Sequence, residues 1–187
     1  MKNPYCLHLD LGVPLLRPEF KLEEINTKLY HNKFHINDVI SSELHKLLWS
    51  LDLVADLEIE MFYSHPKKFS IIHIDITHGD YPKLNYVVGG QSSVMNWYKP
   101  IISKDSIDVS LDNRMYISYN PSEVSLVHSE SIGLGHFSIV QTGVPHNVTN
   151  FEEERHCFGI VFVNKKTRIR PTMAEAHEIF SNYIKKD

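Results

Sequence analysis

The stretch Ile71-Ile72-His73-Ile74-Asp75-Ile76-Thr77-His78 alternates apolar and polar side chains. A period of two predicts a β-strand, in which residues two apart point to the same face. His73 and Asp75 would therefore stand side by side. On the inside of a strand such a pair needs a metal ion, a buried hydrogen-bond network or a role in acid–base chemistry to compensate for lost hydration.

The middle of the chain predicts a mainly β protein. From about residue 53 to about residue 165, short segments with alternating polarity follow one another at close spacing, separated by turn residues. About eight to ten short strands at this spacing favour an antiparallel sandwich or jelly roll over a βαβ fold. Two of the strands, at 83–89 and 93–98, are predicted to join through a hairpin-like turn at Gly89-Gly90-Gln91-Ser92.

Helical spacing of apolar residues flanks this core on both sides. It predicts an N-terminal helical region at about 19–50 and a C-terminal helix at about 172–185, within one domain that spans 1–187. The predicted helices and caps are 19–31, 38–50 with Asn37 as N-cap, and 172–185 with Thr172 as N-cap and Glu175 completing a capping box.

Composition narrows the classes of function. The chain has 187 residues and a formal net charge of −4, without a basic block, so we expect no nucleic-acid partner. No apolar run reaches the length of about 18 residues that a membrane span needs, and the N-terminus lacks the apolar core of a signal peptide. Cys6 and Cys157 are far apart, which favours a reducing cytoplasm. Jelly-roll proteins commonly assemble, but the sequence sets no number of subunits.

A second H-x-D pattern, His8-Leu9-Asp10, lies in a predicted strand at residues 5–13. Its polar side chains alternate with leucines on the other face. We interpret the pattern as the solvated face of an edge or half-buried strand, because such residue types are usually exposed and no later residue completes a site with them.

Two residues near the C-terminus complete the pair at His73 and Asp75. His146 follows Pro145 at the start of a strand, and Arg155 begins the next strand after an acidic turn. Two imidazoles and one carboxylate on one face of an octahedral metal leave three positions open, as non-haem Fe(II) requires. Arg155 would supply a planar cation that holds a carboxylate through two hydrogen bonds.

This ordered set resembles the signature of the Fe(II)- and 2-oxoglutarate-dependent oxygenases, and the resemblance implies a mainly β fold with a double-stranded β-helix (jelly-roll, cupin-like) core. More narrowly, residues 57–163 are similar to small aspartyl/asparaginyl β-hydroxylase-like proteins of phage and marine bacteria. The matching features are Phe62-Tyr63 ahead of Pro66, Asn85 on the following strand, Trp97-Tyr98, and the context Val144-Pro145-His146-Asn147-Val148.

The chain departs from that pattern at three places. Lys83-Leu84-Asn85 stands where Ala-Leu-Asn is more regular, and the interval from His146 to Arg155 is slightly shorter than in many relatives. The last strand, His156-Cys157-Phe158-Gly159, lacks the serines often found there.

The resemblance implies a dioxygenase that uses Fe(II), 2-oxoglutarate and O₂ to hydroxylate a small molecule, a peptide or a protein side chain. It implies that His73, Asp75 and His146 are the metal ligands and the catalytic centre. It further implies that Arg155 grips the distal carboxylate of 2-oxoglutarate, and that Asn85, Tyr63 and Trp97 line the pocket.

Several alternatives stay open at the level of sequence. His73 and Asp75 alone fit a hydrogen-bonded pair, Arg155 fits a salt bridge to the glutamates at 152–154, and His78 could replace a member of the triad. Asn85 fits a structural hydrogen bond, and Trp97-Tyr98 fits plain core packing. Two other functions also remain: a non-catalytic jelly-roll binding or structural module, for instance a virion-associated one, and a cupin-like metalloenzyme without 2-oxoglutarate.

Overall fold

Two antiparallel β-sheets face each other and form the body of the protein. No helix in the described part of the chain is long and apolar enough to cross a membrane. The computed structural model describes residues 3–75, 81–104, 106–109, 115–132, 135 and 137–185.

The first sheet has six strands, which lie in the order β1-β11-β6-β13-β3-β2. They are β1 (Cys6–Leu9), β2 (His31–His35), β3 (Leu53–Ser64), β6 (Pro82–Gly89), β11 (Phe137–Gln141) and β13 (Arg155–Asn164).

The second sheet has the order β10-β7-β12-β5-β9-β8, with β4 paired to β12 beside this path. Its strands are β4 (Lys68–Phe69), β5 (Ile72–Asp75), β7 (Val94–Pro100), β8 (Asp108–Val109), β9 (Met115–Tyr119), β10 (Val124–Ser131) and β12 (His146–Asn150).

The strand order identifies a jelly-roll core, as the sequence predicted. From β3 onward the chain passes repeatedly between the sheets, so that β11-β6-β13-β3 face β10-β7-β12-β5. This interleaving of strands from both halves of the chain is that of a double-stranded β-helix. Strands β8 and β9 form an excursion between β7 and β10 that extends the second sheet beyond β5.

The turn after β6 differs from the predicted hairpin, because β6 and β7 belong to different sheets. Gly89 and Gly90 both have positive φ, at 74° and 63°, which glycine adopts at little cost. A Cβ atom at Gly89 would overlap the carbonyl oxygen of Glu154, and one at Gly90 would come within 2.9 Å of Arg155 Cβ. The two glycines therefore let the crossover pass tightly against the start of β13.

The largest hydrophobic core lies on the outer face of the first sheet, away from the second sheet. Ile59 and Met61 of β3 are fully buried there, together with Leu44 and Leu48 of the helix that covers them. Three helices are described: α1 (Ile36–Val39), α2 (Ser42–Ser50) and α3 (Met173–Ile179). The helices thus occupy the outside of the jelly roll and leave its interior to the two facing sheets.

The predicted N-terminal helix at 19–31 is wrong. The structure has a 3-10 turn at Leu22–Glu24 and then strand β2, which pairs with the edge of β3. Leu29, whose spacing suggested a helical stripe, is exposed. Tertiary pairing along the edge of β3 therefore outweighs the local helical pattern.

The predicted helix at 38–50 is two helices, and Asn37 is not its N-cap. The break falls at Ile40-Ser41, where the Ser41 side chain accepts a hydrogen bond from Leu44 N and caps α2. At the C-terminus the predicted capping box of Thr172 and Glu175 is present, but α3 is shorter than 172–185.

Candidate active site

The three predicted ligands come together on the inner face of the second sheet. His146 of β12 stands opposite His73 of β5 in the strand register, and Asp75 follows two residues along β5. One ligand atom of each side chain lies within 4.8 Å of the others. The two imidazole centroids are 4.5 Å apart. Such a cluster can converge on a single metal ion after small side-chain rotations.

Both histidines are held in the tautomer that a metal ligand needs. Nδ1 of His73 donates to the carbonyl oxygen of Ile71 at 3.0 Å, and Nδ1 of His146 donates to that of Val144 at 2.9 Å. Because a carbonyl oxygen only accepts, the proton of each neutral ring lies on Nδ1 and the lone pair on Nε2. Outer hydrogen bonds of this kind orient most metal-ligating histidines.

The electrostatic surroundings favour a neutral imidazole beside an ionised carboxylate. Burial, together with the neighbouring His73, lowers the pKa of His146 to about 4. Burial would raise the pKa of Asp75, but Lys83, His146 and His73 outweigh it and hold that pKa well below its usual range. His146 and Asp75 are therefore already in the protonation states that metal binding requires at neutral pH.

The triad lines a cavity of about 310 Å³ between the two sheets. This volume is within the range of small-molecule sites. Asn85 and Arg155 reach the cavity from the first sheet, and its apolar wall includes Phe62, Met95 and Val148. His146 and Arg155 thus line the cavity from opposite sheets, because β12 and β13 lie in different sheets.

Arg155 is 3% exposed, and its Nε and Nη2 atoms have no hydrogen-bond partner among the described residues. The alternative of a salt bridge to the turn at 152–154 is not realised, since those glutamates are exposed and form no ion pair with Arg155. Burying guanidinium N–H groups that lack hydrogen-bond acceptors is costly. Because it lines the cavity, it is suited to an anionic ligand.

Lys83, Glu60 and His31 form a polar chain beside the triad that the sequence reasoning missed. Lys83 Nζ lies 2.7 Å from Asp75 Oδ2 and 2.9 Å from Glu60 Oε2. His31 Nε2 lies 3.4 Å from Glu60 Oε1. Burial opposes ionisation of Glu60, but His31 and Lys83 lower its pKa to about 2.

Strand parity was the signal that could have found Lys83 and Glu60. Lys83 is two residues before Asn85 on β6, so both face the cavity. Glu60 is two residues before Phe62 on β3, so it lies on the same face of that strand, where it contacts Lys83. Asn85 was assigned to the pocket from the resemblance, and that assignment already implied the same face for Lys83.

Tyr63 and Trp97 do not line the cavity, unlike the predicted arrangement. On β3 the cavity receives Phe62 and Ser64, so the intervening Tyr63 points into the outer core, where its hydroxyl lies 3.3 Å from His65 Nδ1. Trp97 is fully buried beside the cavity, and its Nε1 donates to the carbonyl oxygen of Gln141 at 2.8 Å. Both are packing residues.

Other histidines stand apart from the cluster. His128 lies 3.0 Å from Glu130, and His156 packs against Tyr63. His78, which the sequence left as a competitor for the triad, lies outside the described residues, as does His136.

Comparison with protein-family models and with curated proteins finds no match. Among solved structures, the chain is similar to a 7S globulin of Momordica charantia, with 13% identity, a TM-score of 0.37, and coverage of 89% of this chain and 36% of the globulin. It therefore spans about a third of the globulin's length. It is also similar to a cupin 2 domain-containing protein from Halorhodospira halophila, with 10% identity, a TM-score of 0.30, and coverage of 92% and 95%.

Likenesses at this level add nothing to the argument for the fold, which rests on the strand order. The strand order and the site together define a class: a jelly-roll protein with a His-Asp-His cluster whose donor atoms suit a divalent metal ion.

Proposed function

We propose that the protein is an Fe(II)- and 2-oxoglutarate-dependent dioxygenase that hydroxylates a small molecule or a protein side chain. One observation carries the proposal. A His-Asp-His cluster and a buried arginine with unpaired N–H groups line the same cavity.

The donor set favours iron over a structural zinc ion. Structural zinc sites close their coordination with four protein ligands, commonly including cysteine. Here two imidazoles and one carboxylate form the cluster among the described residues, which suits a metal that keeps positions for a cosubstrate and O₂. Cys157 also lines the cavity but does not belong to the cluster.

Arg155 accounts for the choice of a dicarboxylate cosubstrate. Its guanidinium can hold the distal carboxylate of 2-oxoglutarate through two parallel hydrogen bonds, which would satisfy donors that otherwise stay buried and unpaired. Fe(II) with 2-oxoglutarate and O₂ supplies the oxidising power for hydroxylation of a C–H bond.

Other residues of the cavity would hold the metal ion and limit the access of water. His73, Asp75 and His146 would hold the metal, with the two imidazoles oriented by the carbonyls of Ile71 and Val144. Phe62, Met95 and Val148 line part of the cavity with apolar surface, which limits the water that reaches it.

The proposal is tested by anaerobic titration with Fe(II), followed by 2-oxoglutarate, while the visible charge-transfer absorption is recorded. We expect a band in the wild type. Arg155→Met should raise the Kd for 2-oxoglutarate about a hundredfold, because a bidentate charge-assisted pair is lost, with the Fe(II) affinity nearly unchanged. The matched control is Arg168→Met, since Arg168 is exposed on the surface.

Turnover gives a second readout: succinate should form from 2-oxoglutarate in the presence of Fe(II) and O₂. Iron binding without a 2-oxoglutarate band or succinate would contradict the proposal and leave a jelly-roll metalloenzyme of another kind. Absence of metal binding would leave a binding or structural module.

A further inference from the structure

Lys83 is a charged group in the cavity wall that the proposed function does not use. Its ammonium bridges Asp75 and Glu60, at 2.7 and 2.9 Å, and its side chain is 12% exposed. We propose that Lys83 competes with a bound divalent cation for Asp75, and that Glu60 retains Lys83 when the cation binds, so that the two residues set the metal affinity. This inference rests on the metal site of the proposed function, but not on 2-oxoglutarate.

The two oxygens of Asp75 face different partners. Oδ2 is the oxygen paired with Lys83, whereas Oδ1 is the one 3.6 Å from Nε2 of His73. A cation held by the triad therefore shares the carboxylate with a positive charge only one hydrogen bond away. At such separations, and out of bulk water, the repulsion between the cation and the ammonium is strong and weakens binding.

Glu60 determines how strongly Lys83 competes with the cation for Asp75. A buried ammonium that loses its only carboxylate is heavily penalised, so a lysine with Asp75 alone would resist the cation. With Glu60 present, Lys83 keeps a partner when Asp75 turns to the cation.

Glu60 is itself fixed in place. His31 Nε2 lies 3.4 Å from its other oxygen, and the His31 ring stacks on Phe62 at a centroid distance of 5.0 Å. The second carboxylate is thus held between Lys83 and His31 and is not a mobile surface group.

The test is titration with Mn(II) alone, with free Mn(II) followed by electron paramagnetic resonance. Lys83→Met should tighten Mn(II) binding at least tenfold, because the competing charge is gone. Glu60→Gln should weaken it at least fivefold, because Lys83 then has only Asp75. Opposite signs are the signature of competition, since a merely structural role for the bridge would weaken binding in both variants.

The matched controls come from an exposed ion pair on neighbouring strands. Lys33 Nζ lies 3.1 Å from Glu58 Oε2, with both side chains about half exposed or more, at 49% and 61%. Lys33→Met and Glu58→Gln make the same changes in net charge and should alter the Kd for Mn(II) less than twofold. A shift in these controls as large as in the cavity variants would overturn the proposal.

If Lys83→Met alone does not fold, the double variant K83M/E60Q leaves no formal charge at either position. It should bind Mn(II) at least tenfold more tightly than E60Q, and equal or weaker binding would overturn the proposal. The two proposals fail separately. If the wild type binds Mn(II) but does not respond to 2-oxoglutarate, the proposed dioxygenase activity is contradicted. If the Mn(II) affinity is unchanged in K83M, only the proposed competition for Asp75 is contradicted.

Discussion

The pattern H-x-D occurs three times in the chain. The copy at His78-Gly79-Asp80 lies outside the described residues, and of the other two only one belongs to a cluster. His73-Ile74-Asp75 lies on β5 and meets His146 across the strand register. His8 lies on β1 at the edge of the first sheet, where Nε2 is 3.2 Å from Glu130 Oε1, and the other oxygen of that carboxylate contacts His128. Asp10 is exposed past the end of β1.

The difference lies in what each strand faces. Strand β5 turns its polar side toward the inner face of the jelly roll, where β12 and the first sheet supply further polar groups. Strand β1 buries Leu7 and Leu9 in the outer core, and its other side buries Cys6 against Trp97 and places His8 beside Glu130 of β10. The same three-residue pattern therefore acquires a chemical role only from residues distant in the sequence.

The largest difference between the two copies should be the effect of replacing the histidine of each on the affinity for Fe(II). His73→Ala should weaken Fe(II) binding roughly a thousandfold, because it removes one of three ligands from a site whose total binding free energy is on the order of 10 kcal/mol. His8→Ala should leave the Kd unchanged. Anaerobic Fe(II) titration measures both, and equal losses would abolish the distinction between the two strands.

On β1 the buried leucines should contribute more to the free energy of unfolding than the polar side chains do. Leu9 is 1% exposed, and Leu9→Ala should lower the free energy of unfolding by about 3 kcal/mol through lost burial and a cavity. Leu57→Ala, at an exposed position, is the control and should cost less than about 0.5 kcal/mol. Urea denaturation decides, and a near-neutral Leu9→Ala would show that β1 does not anchor the core.

The aspartates should differ in stability and in its pH dependence. In metal-free protein Asp75→Asn should cost about 2 kcal/mol, because the ion pair with buried Lys83 is lost while Glu60 remains, and Asp10→Asn should cost almost nothing.

The depressed pKa of Asp75 fixes the sign of the pH effect. The ionised Asp75 carboxylate contributes fully to the free energy of unfolding above the ordinary aspartate pKa of about 3.9. This contribution is lost as the pH falls below that value toward the pKa of Asp75 in the folded protein. The gap between wild type and Asp75→Asn should thus close on acidification, as followed by denaturation at a series of pH values. A gap that widens would contradict the ion pair.

The smallest effect should come from the polar contact of β1. Glu130→Gln weakens the partly exposed contact with His8, and such pairs contribute about 0.5 kcal/mol or less. A double-mutant cycle with His8→Ala measures the coupling. A coupling above about 2 kcal/mol would show that the edge copy of the motif is a structural centre in its own right.

The sequence was sufficient where periodicity and residue chemistry agreed. The alternating segments predicted the jelly roll, and the order of His73, Asp75 and His146 singled out residues that the fold brings together. Thr172 and Glu175 marked the last helix because a capping box depends on neighbours along the chain alone.

It was insufficient where a partner from another strand decided the outcome. Residues 19–31 carry helical spacing, yet the free edge of β3 recruits the following residues into β2. Tyr63 was placed in the pocket by resemblance, although alternation along β3 gives that face to Phe62. Lys83 was noted only as a departure from a pattern, since its two carboxylates lie on separate strands.

A single rung of the ladder joins β12 to β5 in the described residues, the pair His146 and His73. Both members are candidate ligands, so a bound cation would add a cross-link between β12 and β5. These two strands come from distant parts of the chain and share only this ladder pair in the described residues. Metal loading should then raise the melting temperature by mass action, and a chelator should reverse it. The melting temperature would in that case report whether a metal ion links β5 and β12, before any substrate is known.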